Sequence, residues 1–286
     1  MTENRISARR RTARWDPDAD VSVREAMDFW SFAAAAANVV MQLAVPGVGY
    51  GVVESKVDSG SILKHPWKRL RTTSQYLAVA VFGSDEDRAA FRQAVDVAHR
   101  QVISAPESPV RYNAFDRELQ MWVAACLFVG LEDTYLLLRG EMSHEQAEQF
   151  YRSAWTLGTT LQVTDDQWPA TRTDFDAYWD TACKQVAIDP PVRDYLSDLI
   201  NLRMINPVLG LPFRPLLRFL TIGFLAPVFR DALGVKWSKG KQLRFEWLFL
   251  LVAFVNRFLP VFIRQGGSFL LLTDVRRRVR AHSSLV

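Results

Sequence analysis

The chain has 286 residues, 49% of them hydrophobic and 23% charged, which is enough apolar material for a large buried core and excludes bulk disorder. Its two cysteines, Cys126 and Cys183, lie far apart with no Cys-x-x-Cys or Cys/His spacing, so zinc and iron–sulfur sites are excluded and both read as buried free thiols. The net charge of +4 collects at the two ends without a finger, a helix-turn-helix signature or interleaved aromatics, which argues against nucleic acid as a partner.

Residues 1–20, with Arg5, Arg9, Arg10, Arg11 and Arg14, read as a flexible basic arm. The acids Asp16, Asp18, Asp20 and Glu25 separate this arm from the apolar run at 32–45, which argues against a secretion signal. The expected location is cytoplasmic, with membrane association left open. Ser22-x-x-Glu25 predicts a capping box opening a helix that ends before Pro46. The next predicted helix has Pro66 in its first turn and stops at Gly83. Ser84-x-x-Asp87 opens a helix over 85–103, and Ser143-x-x-Gln146 opens another, with Gly140 closing the helix before it. Further helices are predicted over 174–187, 192–205, 215–233 and 239–259, joined by links containing Pro190, Pro207, Pro212 and Pro260. No stretch alternates with period two. The expectation is one all-α domain over 21–274, followed by a basic tail over 275–286 that carries Arg276, Arg277, Arg278 and Arg280.

His99 is the residue with the clearest chemical promise. On the 85–103 helix it lies among Phe91, Ala94, Val95, Ala98 and Val102, an apolar set at helical spacing. A buried imidazole needs a partner, because an unpaired buried polar group costs about 1–3 kcal/mol. Either a neighbouring side chain or a bound metal can satisfy it. The other histidines are placed less well: His65 precedes Pro66, His144 opens a helix beside Glu145, and His282 sits in the basic tail. Upstream, Arg69 and Thr73 stand at i and i+4, with Tyr76 and Ala80 continuing their stripe. A charged fork and a hydroxyl one turn apart suit an anionic or oxygen ligand. The alternative is a solvated basic helix start, since Lys64, Lys68 and Arg71 are close by.

The C-terminal third is rich in apolar residues. The run at 247–263 is broken by Asn256, Arg257 and Pro260, which argues against a transmembrane span. It reads as a helix packed over an apolar pocket or as one lying on a membrane surface, and the interruptions favour the packed reading. The segment 207–230, with Arg214, Arg218 and Arg230 among Leu, Phe and Ile, has the composition of an interfacial element. Both readings imply a hydrophobic substrate or neighbour.

Several stretches together resemble the MpaB-type oxygenase family, which includes the latex-clearing rubber oxygenases. They are QLAVPGVGYGVVE (42–54), RLRTT (69–73), VAHRQV (97–102), YNAFDRELQMWV (112–123), LRGEMSHEQAEQFY (138–151) and FLTIGFLAPVFRDALGVKWS (219–238). The resemblance implies a multi-helix domain with a globin-like core around a haem pocket, haem b as cofactor, and oxygenase chemistry on an apolar, alkene- or lipid-like substrate with O2. It places His99 as the axial iron ligand and Arg69 and Thr73 near the haem, as donors to a propionate, an oxygen ligand or a water. Glu54 corresponds to a family acid on the distal side. The sequence departs from the rubber-cleaving pattern at Thr72, where that branch has lysine, and at Ala124, where many members have histidine. These departures leave a non-catalytic haem- or lipid-binding protein at a membrane surface as the alternative, with the electron donor unassigned.

Overall fold

The computed structural model describes residues 4–6, 21–57 and 60–286. Two 3-10 turns, Val23–Ala26 and Phe29–Ala34, lead into α1 (Ala35–Leu43) and α2 (Pro46–Val53). Then follow α3 (Pro66–Phe82), α4 (Asp85–His99), α5 (Arg117–Arg139), α6 (His144–Ser153), α7 (Thr156–Thr159) and α8 (Arg172–Ala182). The chain continues through α9 (Pro190–Ile200), α10 (Pro207–Gly210), α11 (Arg214–Gly223), α12 (Pro227–Leu233), α13 (Lys239–Asn256) and α14 (Val261–Arg280). Among the described residues the extended pairing is limited to one isolated antiparallel bridge, Ile103 with Asn113. The domain is all-α, as the absence of period-two patterning implies.

Helix α5 is the axle. It packs against α1, α7, α13 and both 3-10 turns, and it buries an unbroken run from Ala124 to Leu138. By length and composition it could cross a membrane, yet 83% of its most apolar window is buried inside the bundle. All-round apolarity here marks a central core helix. Cys126 on α5 and Cys183 after α8 are buried free thiols, and burial raises the pKa of both. The buried run also carries two acids. Glu132 and Asp133 each accept a 2.6 Å bond from Arg5 Nη2, and Arg172 Nη2 reaches Glu132 at 3.0 Å. Burial acts to raise the Glu132 pKa, but the two guanidiniums outweigh it and the pKa falls below the usual value.

Several sequence expectations are corrected. Arg5 belongs to no solvated arm: it is 6% exposed and clamps α5 from the far end of the chain. Arg9, Arg10, Arg11 and Arg14 lie outside the described residues. Ser22 makes no side-chain cap, and the expected first helix is instead two 3-10 turns and the short α1. The cause is Asp28, a buried residue whose Oδ2 accepts from Arg139, Asn256 and Arg264 at 2.8–3.2 Å. Drawing that carboxylate inward breaks the helical path.

The segment expected as one helix over 215–233 is two, α11 and α12. The buried Arg230 bonds the carbonyls of Ile222 and Gly223 that the break leaves free, at 2.9 and 3.1 Å. The basic tail is a helix as well. Arg276, Arg277, Arg278 and Arg280 form the last turns of α14, which lies along α3 with Leu272 and Val275 buried.

Candidate active site

Helix α3 places Arg69 in its first turns and Thr73 one turn on. Helix α4 opens with the expected Ser84/Asp87 capping box but ends at His99, four residues short of the predicted end. The bridge between Ile103 and Asn113 explains the early stop. The Ser104 amide donates to Tyr112 O, and the Ala114 amide donates to Val102 O, both at 2.9 Å, so these backbone groups pair away from the helix. His99 is therefore the last helical residue, half-buried, and its Nδ1 is buried with no hydrogen-bond partner.

The electrostatics of the imidazole are one-sided. Desolvation is the main cause lowering the His99 pKa, and the positive charge of Arg69 lowers it further. A hydrogen bond between Gln162 and the imidazole, and the charge of Asp96, act in the opposite direction and do not win. Gln162 is itself held by Gln120, which donates to its Oε1 at 2.7 Å, and it donates in turn to Asp96. Desolvation and the Arg69 charge both favour the neutral imidazole, the form that can ligate a metal. Phe115 stands edge-on to it with ring centroids 6.1 Å apart.

The Arg69 side chain forms no hydrogen bond and no ion pair among the described residues. It is exposed to solvent, yet burial is the main cause lowering its pKa. Tyr195 on α9, half-buried, is its electrostatic neighbour. Thr73 is half-buried, and its hydroxyl bonds no described group.

The structure thus brings Arg69 and His99 into one electrostatic neighbourhood, with Thr73 a turn from Arg69. It ties Glu54 to other residues. Glu54 Oε2 accepts from Tyr112 at 2.9 Å, and burial together with this carboxylate pushes the phenol up to about 12. No described contact joins Glu54 to His99. Thr72 is buried, with its hydroxyl turned back to Lys68 O at 2.9 Å, and Ala124 is packed inside α5. His144 and His282 are exposed, as expected.

Tyr195, Gln162 and Phe115 were not found from the sequence. Tyr195 looks like an ordinary residue of an amphipathic helix, and Gln162 and Phe115 sit in connections with no motif. Asp96 had a readable signal, since it precedes His99 by three residues on one helix. Two cavities lie elsewhere. One of about 470 Å³ is bounded by Arg24, Phe82, Arg139 and Arg264, and one of about 300 Å³ by Val45, Trp122 and Tyr178. Neither is lined by His99, Arg69 or Thr73.

The family described as ER-bound oxygenase mpaB/B'/Rubber oxygenase, catalytic domain, matches residues 23–254. The chain belongs to this family. The matched span of this oxygenase catalytic domain runs from the first 3-10 turn to the last turn of α13 and includes Arg69, Thr73 and His99. Two uncharacterized proteins, from Mycobacterium bovis and Mycobacterium tuberculosis, are each 49% identical to the chain over 249 residues, covering 86% of it and 96% of their own length. No solved structure matches it.

Proposed function

We propose that this mpaB/rubber oxygenase family member is a haem b-dependent oxygenase acting with O2 on an apolar, alkene- or lipid-like substrate. The observation that carries the reading is the buried, unpartnered Nδ1 of His99 beside the unpaired charge of Arg69. The residues fit the group. A single axial ligand suffices for haem, so the lack of any cluster of three or more His, Cys, Asp or Glu residues among those described does not bear on it. When bound, haem b supplies iron and the oxygen-activating redox chemistry.

The chain's own residues do the rest. His99 would hold the haem iron, and desolvation together with the charge of Arg69 favours the neutral imidazole that this needs. Arg69, whose side chain has no other described partner, would pair its guanidinium with an anionic group of the haem. Thr73, one turn from Arg69, would donate its hydroxyl to an oxygen of the haem or of a water beside it. Gln162, hydrogen-bonded to the imidazole and itself held by Gln120 and Asp96, would orient the ring. Phe115 supplies an apolar wall next to the imidazole.

The test is an absorption spectrum of protein expressed with added haem precursor. The wild type should show a Soret band, and His99→Ala should lose most of it while keeping its helical circular dichroism. A wild type without the band overturns the haem reading. A band that survives His99→Ala moves the ligand to another histidine, His65 being the next to test.

A further inference from the structure

One surface of the domain is unlike the rest. Helix α13 buries Phe245, Phe249 and Ala253, packing on α5 and α11. Its opposite face is bare. Leu243, Trp247, Leu251, Phe254 and Phe258 recur at three- and four-residue spacing along one stripe, and each is 51–65% exposed. The chain then bends by 95° into α14, whose first turn carries Phe262 at 74% exposure. Elsewhere, the chain leading into α11 exposes Val208 at 80% and Phe213 at 62%. A contiguous apolar stripe of this kind marks an interaction surface.

The charges around it select the partner. From Lys239 to Thr273 the sequence holds one acid, Glu246, which is buried and accepts a bond from Gln242. Between Asp198 and Asp231 there is none. Lys239, Lys241 and Arg244 are exposed at the start of the stripe, and Arg257 stands at the elbow. A second copy docked face to face would set this cationic, acid-free surface against itself. An anionic bilayer complements it, with phosphates meeting the cations and the Trp and Phe rings entering the headgroup boundary.

We propose that the α13–α14 elbow is a docking face for an anionic lipid bilayer, on which the domain lies without crossing it. This inference does not depend on haem.

The test is sedimentation of the full chain with phosphatidylcholine vesicles, with and without phosphatidylglycerol. Three proteins are compared: wild type, Phe254→Asp/Phe258→Asp, and Lys239→Glu/Lys241→Glu/Arg244→Glu. The substituted side chains are all exposed, so circular dichroism and the thermal midpoint should stay near wild type. The wild type should sediment with phosphatidylglycerol-containing vesicles and release as salt rises. Each variant should bind about tenfold more weakly or worse. Wild type that stays in solution overturns the proposal, as does binding that ignores phosphatidylglycerol or survives in both variants. A wild-type dimer in size-exclusion chromatography that Phe254→Asp/Phe258→Asp converts to monomer, with no vesicle binding, assigns the face to a second copy instead.

Discussion

Arg276 on α14 grips Asp87 on α4, with Nη2 at 2.8 Å and Nε at 3.1 Å from the same oxygen. Asp87 is also the residue that returns a 2.9 Å bond to the Ser84 amide and closes the capping box of the His99 helix. The C-terminal arginine cluster is thereby fastened to the start of the helix that ends at His99. Burial acts to raise the Asp87 pKa, but the Arg276 guanidinium and Ser84 outweigh it and the pKa is lowered.

Arg276→Ala should cost about 1 kcal/mol or less, because the arginine is 45% exposed and such pairs contribute little. Truncation after residue 274 should cost several times more, since it also removes the buried Val275 and Leu285. Asp87 has a depressed folded pKa, so its contribution is present above the ordinary carboxylate pKa and is lost as pH falls through the folded value. Urea unfolding of wild type and Arg276→Ala should therefore show a gap at neutral pH that closes under acid.

The Arg5 clamp should be far more costly to remove. Glu132 and Asp133 are 2% and 3% exposed, and Arg5 bonds both. Arg5→Ala leaves buried acids short of a cation, which costs about 3–5 kcal/mol. Arg172 still holds Glu132 and should keep the cost toward the lower figure. Glu132 also has a depressed pKa, so the clamp acts above the usual glutamate range and weakens as pH falls through the folded value. Thermal melts of wild type and Arg5→Ala should converge in acid and separate at neutral pH.

What the sequence made legible was local. The boxes at Ser84 and Ser143 close across three residues, with no distant partner needed, and both are formed. Ser22 carries the same pattern and fails, because Asp28 is committed to residues more than a hundred positions away. The C-terminal arginines looked like a solvated tail because charge dominates that segment. Leu272 and Val275, three residues apart and both buried, were the sign of a packed helix. The 247–263 run reads from the sequence as a packed helix, yet Phe254 in it is 59% exposed. A helix apolar on all sides cannot say which face is covered. At the site, His99, Arg69 and Thr73 could be named from spacing and resemblance, whereas the Gln162 and Tyr195 neighbours depend on tertiary placement.

Gly223 fixes how closely α11 approaches α13. A Cβ there would fall 2.2 Å from Phe245 Cδ2, and Phe245 is fully buried against Phe224 and Phe249. The ring has no open side to move into. Gly223→Ala should lower stability by about 1–3 kcal/mol through overpacking, read as a drop in the thermal midpoint. Gly266→Ala is the control, since nothing lies within 4 Å of its added methyl.

The last prediction isolates the pairing of Arg69 with His99 and needs no cofactor. Arg69 and Arg71 differ by two helical positions, which turns them about 160° apart around α3. The structure sends them to different neighbours: the charge of Arg69 acts on His99, and that of Arg71 acts on Asp274 of α14. Desolvation is the main cause of the lowered His99 pKa and should persist in both variants. Arg69→Ala removes the charge contribution, so the His99 pKa should rise toward the ordinary histidine value, while Arg71→Ala should leave it in place. Gln162→Leu should move it the other way, because Gln162 acts to raise it. The readout is the pH titration of the His99 ring protons by NMR in the haem-free protein, assigned with His99→Ala. Equal effects of Arg69→Ala and Arg71→Ala would make RLRTT a merely basic helix start and remove Arg69 from the site.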